Sequence, residues 1–121
     1  QAGLGPQDVD VAEVHDAFSI AELLYCEALG FCRRGEAAQL LWDGETSLGG
    51  RLPVNPSGGL LSRGHPLGAT GGAQAVEIVR QLRGQCGERQ VEGARVGLTH
   101  TTGGGISGLD HGACSIHILA R

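Results

Sequence analysis

Asn55-Pro56-Ser57-Gly58-Gly59-Leu60-Leu61-Ser62-Arg63-Gly64-His65-Pro66-Leu67-Gly68-Ala69-Thr70-Gly71-Gly72 decides the reading of this chain. One histidine, His65, stands between Gly64 and Pro66 with further glycines on both sides. Glycine takes up positive φ without a Cβ clash and lets backbone approach a ligand closely. Pro66 fixes its own φ and holds His65 in extended geometry. An apolar-periodic segment follows, so His65 sits at a glycine-lined helix entrance. A histidine held stiffly there can donate a hydrogen bond to a carbonyl oxygen or carry a proton near neutral pH.

Asn55, Gly58-Gly59, Gly64-His65-Pro66, Gly68 and Gly71, in that order, resemble the C-terminal signature of the thiolases. Those enzymes make or break carbon–carbon bonds between acyl-coenzyme A thioesters. Two further segments fit in the same order. His15-Asp16-Ala17-Phe18 resembles the family's Asn-Glu-Ala-Phe or His-Asp-Cys-Phe motif, and His100-Thr101-Thr102-Gly103-Gly104-Gly105 resembles its C-terminal glycine-rich loop. The match runs from about Val9 to Arg121. The glycine–histidine–proline signature is long and specific, whereas the other two motifs are weak alone. The histidine of the first motif is similar to that of the sterol-carrier-protein thiolases and their archaeal and actinobacterial relatives.

The resemblance implies an α/β fold in which residues 1–121 are the C-terminal catalytic segment of a thiolase-like protein. They would supply part of a five-stranded mixed sheet with helices packed on its faces. It implies a substrate, an acyl-coenzyme A thioester, and no further cofactor. His65 would donate from Nε2 to the thioester oxygen, His15 would hold a water or touch that oxygen, and the Gly103 N–H would serve a second oxyanion hole. Asn55, Gly58, Gly59, Gly64 and His100 would line the substrate site; Asn55 also suits a turn through its own side chain, and the glycines meet geometric needs. Asp16 would orient His15 or favour a helix N-terminus.

Two positions depart from the family pattern. Thr101 stands where many thiolases carry a second catalytic cysteine, and Ala17 stands where the sterol-carrier-protein type has one. Claisen condensation needs a base for the α-proton, and neither residue has a suitable pKa. The reaction therefore stays open between acyl transfer, retro-aldol cleavage of steroid side-chain coenzyme A thioesters, and partner binding without chemistry. Tyr25 is a phenolic acid/base for the second case or core packing on a helix. The nucleophilic cysteine of thiolases belongs to an N-terminal half that would be this chain's partner, in a homo-oligomer.

Composition bounds the alternatives. A chain of 121 residues allows one domain with a modest core. A net charge of −4 gives no reason to expect nucleic acid binding, and pairs such as Arg33-Arg34 read as solvated surface. No apolar run reaches membrane-spanning length and no signal peptide is visible. Glycine, at 22 residues, has no triplet period, which excludes collagen. Cysteines 26, 32, 86 and 114 lack CxxC spacing, so free thiols in a reducing cytoplasm are expected. The chain begins without methionine, which fits the last third of a longer protein.

Local patterns predict the elements. Val9 to Val14 reads as a short buried strand after the Gly5-Pro6 turn. Ser19 to Glu22 has capping-box spacing, with Phe18 and Leu23 placed as a staple and Ile20, Leu23, Leu24 and Ala28 on one helical face before Gly30 ends it. A helical turn is expected at 36–41, in a segment from Phe31 to Arg63 that otherwise reads as loop. Ala69 to Leu82 reads as a helix with Ala75, Ile78, Val79 and Leu82 inward. Val96 to Thr99 and Cys114 to Ala120 read as strands joined by the glycine loop. Gly103-x-Gly105-x-x-Gly108 matches a dinucleotide fingerprint, but too little chain follows for the required βαβ unit. His111, Cys114 and His117 have ligand-type side chains, but 114 and 117 face opposite sides of a strand, so no metal site is expected.

Overall fold

The computed structural model describes residues 2–107 and 110–121, with backbone only at 106, 107, 110 and 111. Gly108 of the dinucleotide-like spacing and the side chain of His111 lie outside the described residues. Three strands form one mixed sheet: β1 (Val11–Glu13), β2 (Val96–Ser107) and β3 (Asp110–Ala120), in the order β1-β2-β3. β1 runs parallel to β2, with Val11 opposite Gly97, and β2 pairs antiparallel with β3. Four helices accompany the sheet: α1 (Ser19–Ala28), α2 (Ala37–Trp42), α3 (Gly59–Arg63) and α4 (Thr70–Leu82).

Strand alternation sorts the core onto two faces. Ala12, Val14 and Leu98 join Cys26, Phe31, Leu52 and Val54 on the α1 side. Val11 joins Ile78 and Leu82 on the α4 side. Val54 reaches the sheet through a parallel bridge to Ala12, which draws the signature segment alongside β1.

Several expected elements differ in detail. Glu22 does not close a capping box. Phe18 is the helix N-cap without a side-chain cap bond, and the Glu22 carboxylate instead accepts from Asn55 Nδ2 at 3.1 Å. The large residues Phe18, Ile20 and Leu24 are exposed, while Ala21 and Cys26 face inward with Leu23 and Tyr25 packed beside them. Of these, Cys26 joins the core with Val14, Phe31 and Leu52. Beyond the helix, Gly30 at φ +78° ends α1 with Gly30 N–H to Glu27 O and Phe31 N–H to Cys26 O, a Schellman closure.

The glycine segment at 100–105 is not a loop but a continuation of β2, with Gly103 opposite Ala113. Residues 59–63 form a short helix that has too few residues for a periodic signal.

On α4 the inward face is polar as well as apolar. Thr70, Gln74, Glu77 and Gln81 are buried beside Ile78 and Leu82, whereas Val76 is half exposed. Gln74 Nε2 donates to His100 O at 3.1 Å and Gln81 Nε2 to Arg89 O at 2.7 Å, while Gln81 Oε1 accepts from Val91 N–H at 2.8 Å. Buried amides of this kind cost stability unless each is hydrogen-bonded, and here they are. Among the described residues, no helix is long and apolar enough to cross a membrane.

Candidate active site

β1 and α4 bring two histidines together. His15 follows the last strand residue of β1, and His65 precedes the turn Pro66–Ala69 that opens α4. Their imidazoles meet edge to face with centroids 4.8 Å apart. His15 is buried and His65 half-buried. Extended backbone before Pro66 and the Ala69 and Thr70 N–H bonds to Pro66 O aim His65 back over β1.

Thr70 fixes the His65 ring. Its hydroxyl donates to Pro66 O at 3.1 Å and lies 2.7 Å from His65 Nδ1. The contact engages the ring through Nδ1 and leaves Nε2 outside it.

Three buried polar groups tie the histidine-bearing segments to each other. Asn55, at φ +53°, accepts Val14 N–H through Oδ1 at 2.8 Å and donates to Glu22 through Nδ2. Its amide thus supports the backbone just before His15. Asp16 accepts Leu60 N–H at 2.6 Å. Gly59, at φ +61°, packs so closely on that carboxylate that a Cβ would fall 2.1 Å from Asp16 Oδ2. Glu13, fully buried, accepts Ser57 N–H at 3.0 Å and Ser57 Oγ–H at 2.7 Å, with Arg63 4.0 Å away. Burial pushes Glu13 up to about 7, against the Ser57 bonds and Arg63, with Glu77 adding repulsion. Burial likewise raises Glu22 above the ordinary carboxylate range, opposed by its Asn55 bond.

The third motif approaches from β2. The His100 ring meets Tyr25 at a tilt of 52° with centroids 4.2 Å apart, and the Tyr25 hydroxyl lies 3.2 Å from Thr102 Oγ1. Tyr25 is therefore packed by its ring and engaged by its hydroxyl. Thr101 Oγ1 donates to Gln74 Oε1 in a short bond, so its proton is committed to the scaffold. Gly71 lies against Thr101. Beside them, between α4 and the β2–β3 face, is a cavity of about 410 Å³ walled by Ala75, Thr99, His117 and Leu119. Gly103 follows Thr102 on β2, and Gly58 and Gly64 flank α3 at φ +95° and +94°.

Glu13 and Thr70 were missed as candidates. The signal for Glu13 was present, since a glutamate within the short buried strand read at Val9 to Val14 needs a partner. Thr70 was hidden because its role depends on the turn that brings it back to His65.

Comparison with known proteins follows this geometry. Residues 1–116 match the family model for the thiolase C-terminal domain-like family. An acetyl-CoA acetyltransferase of Methanothermobacter thermautotrophicus is 54% identical over 120 residues, covering 99% of this chain and 30% of that protein. Sterol carrier protein 2 of Rattus norvegicus is 56% identical over 103 residues, covering 85% of this chain and 19% of that protein. A solved structure, the Ltp2-ChsH2(DUF35) aldolase, superposes with a TM-score of 0.81 at 32% identity, over 98% of this chain and 28% of the aldolase chain. This chain thus spans less than a third of the length of these proteins. The match of residues 1–116, together with the mixed α/β sheet, identifies the chain as a member of the thiolase C-terminal domain-like family.

Proposed function

We propose that this chain is the C-terminal catalytic segment of an acyltransferase acting on acyl-coenzyme A thioesters. The observation that carries the reading is the His15–His65 pair, with His65 Nδ1 held by Thr70. Nε2 of His65 accepts the proton of a thiol presented by the N-terminal half and returns it, as imidazolium, to the developing oxyanion or the leaving thiolate. His15 donates to the same thioester oxygen or holds a water there. Gly103 N–H serves a second oxyanion position, and Gly58, Gly64 and His100 line the approach. The N-terminal half and an oligomer of the complete protein complete the site.

A specific observation favours a second reading. Ala17 has no titratable group, and Thr101 has its proton committed to Gln74. Neither removes an α-proton at neutral pH. A retro-aldol lyase on a coenzyme A thioester needs no such cysteine, and the likeness to an aldolase structure supports it. Assays of the full-length protein on a 3-ketoacyl-coenzyme A with free coenzyme A, and on a 3-hydroxyacyl-coenzyme A alone, separate the two. Thiolysis lost by about two to three powers of ten in His65→Ala supports acyl transfer. Cleavage of the hydroxyacyl substrate without thiolysis supports the lyase. Coenzyme A binding with neither activity would leave a non-catalytic, partner-binding protein.

A further inference from the structure

The segment that delivers His65 is not held to β1 by apolar packing alone. Ser57 gives both its N–H and its hydroxyl proton to the Glu13 carboxylate. Ser57 Oγ in turn accepts Arg63 Nε–H at 3.1 Å and Gly59 N–H at 3.3 Å. Arg63 Nη2 stands 4.0 Å from the same carboxylate. Glu13 therefore binds the first residue of the Ser57–Arg63 segment directly and faces the charge of the last, which is itself bonded to Ser57. Arg63 lies two residues before His65, and Glu13 itself two before His15.

We propose that Glu13 is the positioning residue of the histidine pair: through Ser57 and Arg63 its carboxylate pins the segment carrying His65 to the strand carrying His15. The inference rests on the reading of these histidines as the working pair. It adds a role for a residue that touches no substrate. Both oxygens of a carboxylate can accept the two Ser57 donors together. In a carboxylic acid one oxygen becomes a donor, and Ser57 Oγ already accepts from Gly59 N–H and Arg63 Nε–H, so one bond of this network must reverse or be lost. Protonation thus loosens Ser57 and leaves Arg63 without its counter-charge.

The charged groups facing Glu13 are Arg63 on α3, Glu77 on α4 and, at longer range, Arg89 in the turn Gly87–Arg89. Arg63 favours the carboxylate and Glu77 opposes it. Glu77 is itself paired with Arg89 at 3.1 Å and does not bond Ser57 in this network. It provides an internal control that shares the buried cluster without the tether.

The test uses the full-length protein with Glu13→Gln, Ser57→Ala and Glu77→Gln. Thiolysis of a 3-ketoacyl-coenzyme A is followed against pH, and 15N-histidine spectra record the His65 ring. Glu13→Gln should lower kcat by up to about a hundredfold, the scale of an ångström-level misplacement, with little change in KM. The acid limb of its kcat profile should lose one proton relative to wild type. Ser57→Ala should move kcat in the same direction, and it serves where Glu13→Gln does not fold. Glu77→Gln should retain kcat in mildly alkaline buffer. The His65 nitrogen resonances should shift in the first two variants and not in the third.

Wild-type kcat and an unshifted His65 ring in both tether variants would overturn the proposal, as would equal losses in Glu77→Gln. A wild-type protein that turns over no acyl-coenzyme A would defeat the functional reading by itself. The His65 resonances would then decide the positioning role without activity: shifts confined to the tether variants support it, and unmoved signals refute it.

Discussion

Gly59→Ala probes the contact between the two histidine-bearing segments most directly. Two costs combine. Alanine must occupy φ +61°, which costs an L-residue about 1–2 kcal/mol. Its Cβ would also stand 2.1 Å from Asp16 Oδ2 and 2.7 Å from Oδ1. The carboxylate has to move, and the 2.6 Å bond from Leu60 N–H is lost with it. A hydrogen bond to a charged group is worth about 1.5–3 kcal/mol. The expected destabilisation is therefore about 3–5 kcal/mol.

Gly84→Ala isolates the first cost. Gly84 closes α4 at φ +68°, and a Cβ there would meet no atom within 4 Å, so only about 1–2 kcal/mol should be lost. Urea unfolding of the full-length protein measures the difference, and hydrogen exchange at the Leu60 amide locates it. Leu60 should lose protection in Gly59→Ala and keep it in Gly84→Ala. Equal destabilisation of the two variants, or a protected Leu60 amide in Gly59→Ala, would refute the reasoning.

Thr70→Val keeps the shape but removes the partner of His65 Nδ1; turnover should fall roughly fivefold, the worth of about one net hydrogen bond, and Thr70→Ser should restore it. Glu13 is raised from 4.5 to about 7 in the folded chain. The folded state therefore binds the extra proton between these values, and the stability linked to it is present below 4.5 and lost as pH rises through about 7. The loss is at most about 3 kcal/mol, and urea midpoints across that window should show a falling component that Glu13→Gln removes. Burial pushes the Cys26 thiol up to about 12, so Cys26 should be the slowest of cysteines 26, 32, 86 and 114 to react with a disulfide reagent at neutral pH; labelling at the rate of the exposed Cys114 would contradict its burial.

The strand at β1 and the helix at α4 were legible because β-branched residues and a 3.6-residue period report burial directly. His65 was legible because Gly64 and Pro66 constrain it from both sides. What escaped the sequence was set by distant partners. Glu22 has the spacing of a capping box, yet Asn55, far along the chain, takes its carboxylate. Ile20, Leu24 and Ala28 do share a helical face, but the chain folds so that Ala21 and Cys26 are the buried positions of α1. The glycines after His100 have poor intrinsic strand preference, and pairing with β3 overrides it. The meeting of His15 and His65 follows from the bridge between Ala12 and Val54, which no local pattern announces.

The polar underside of α4 has a consequence for how this protein can vary. Alkyl side chains tolerate exchange among shapes of similar volume, but Gln74 and Gln81 are matched to particular carbonyls and N–H groups at His100, Arg89 and Val91. A change at one partner strands a buried polar atom on the other. Position 74 should therefore drift only together with position 101, and position 81 only with the path of the 89–91 turn. Across an alignment of relatives these positions should substitute jointly, while Ile78 and Leu82 on the same face exchange independently among aliphatic residues.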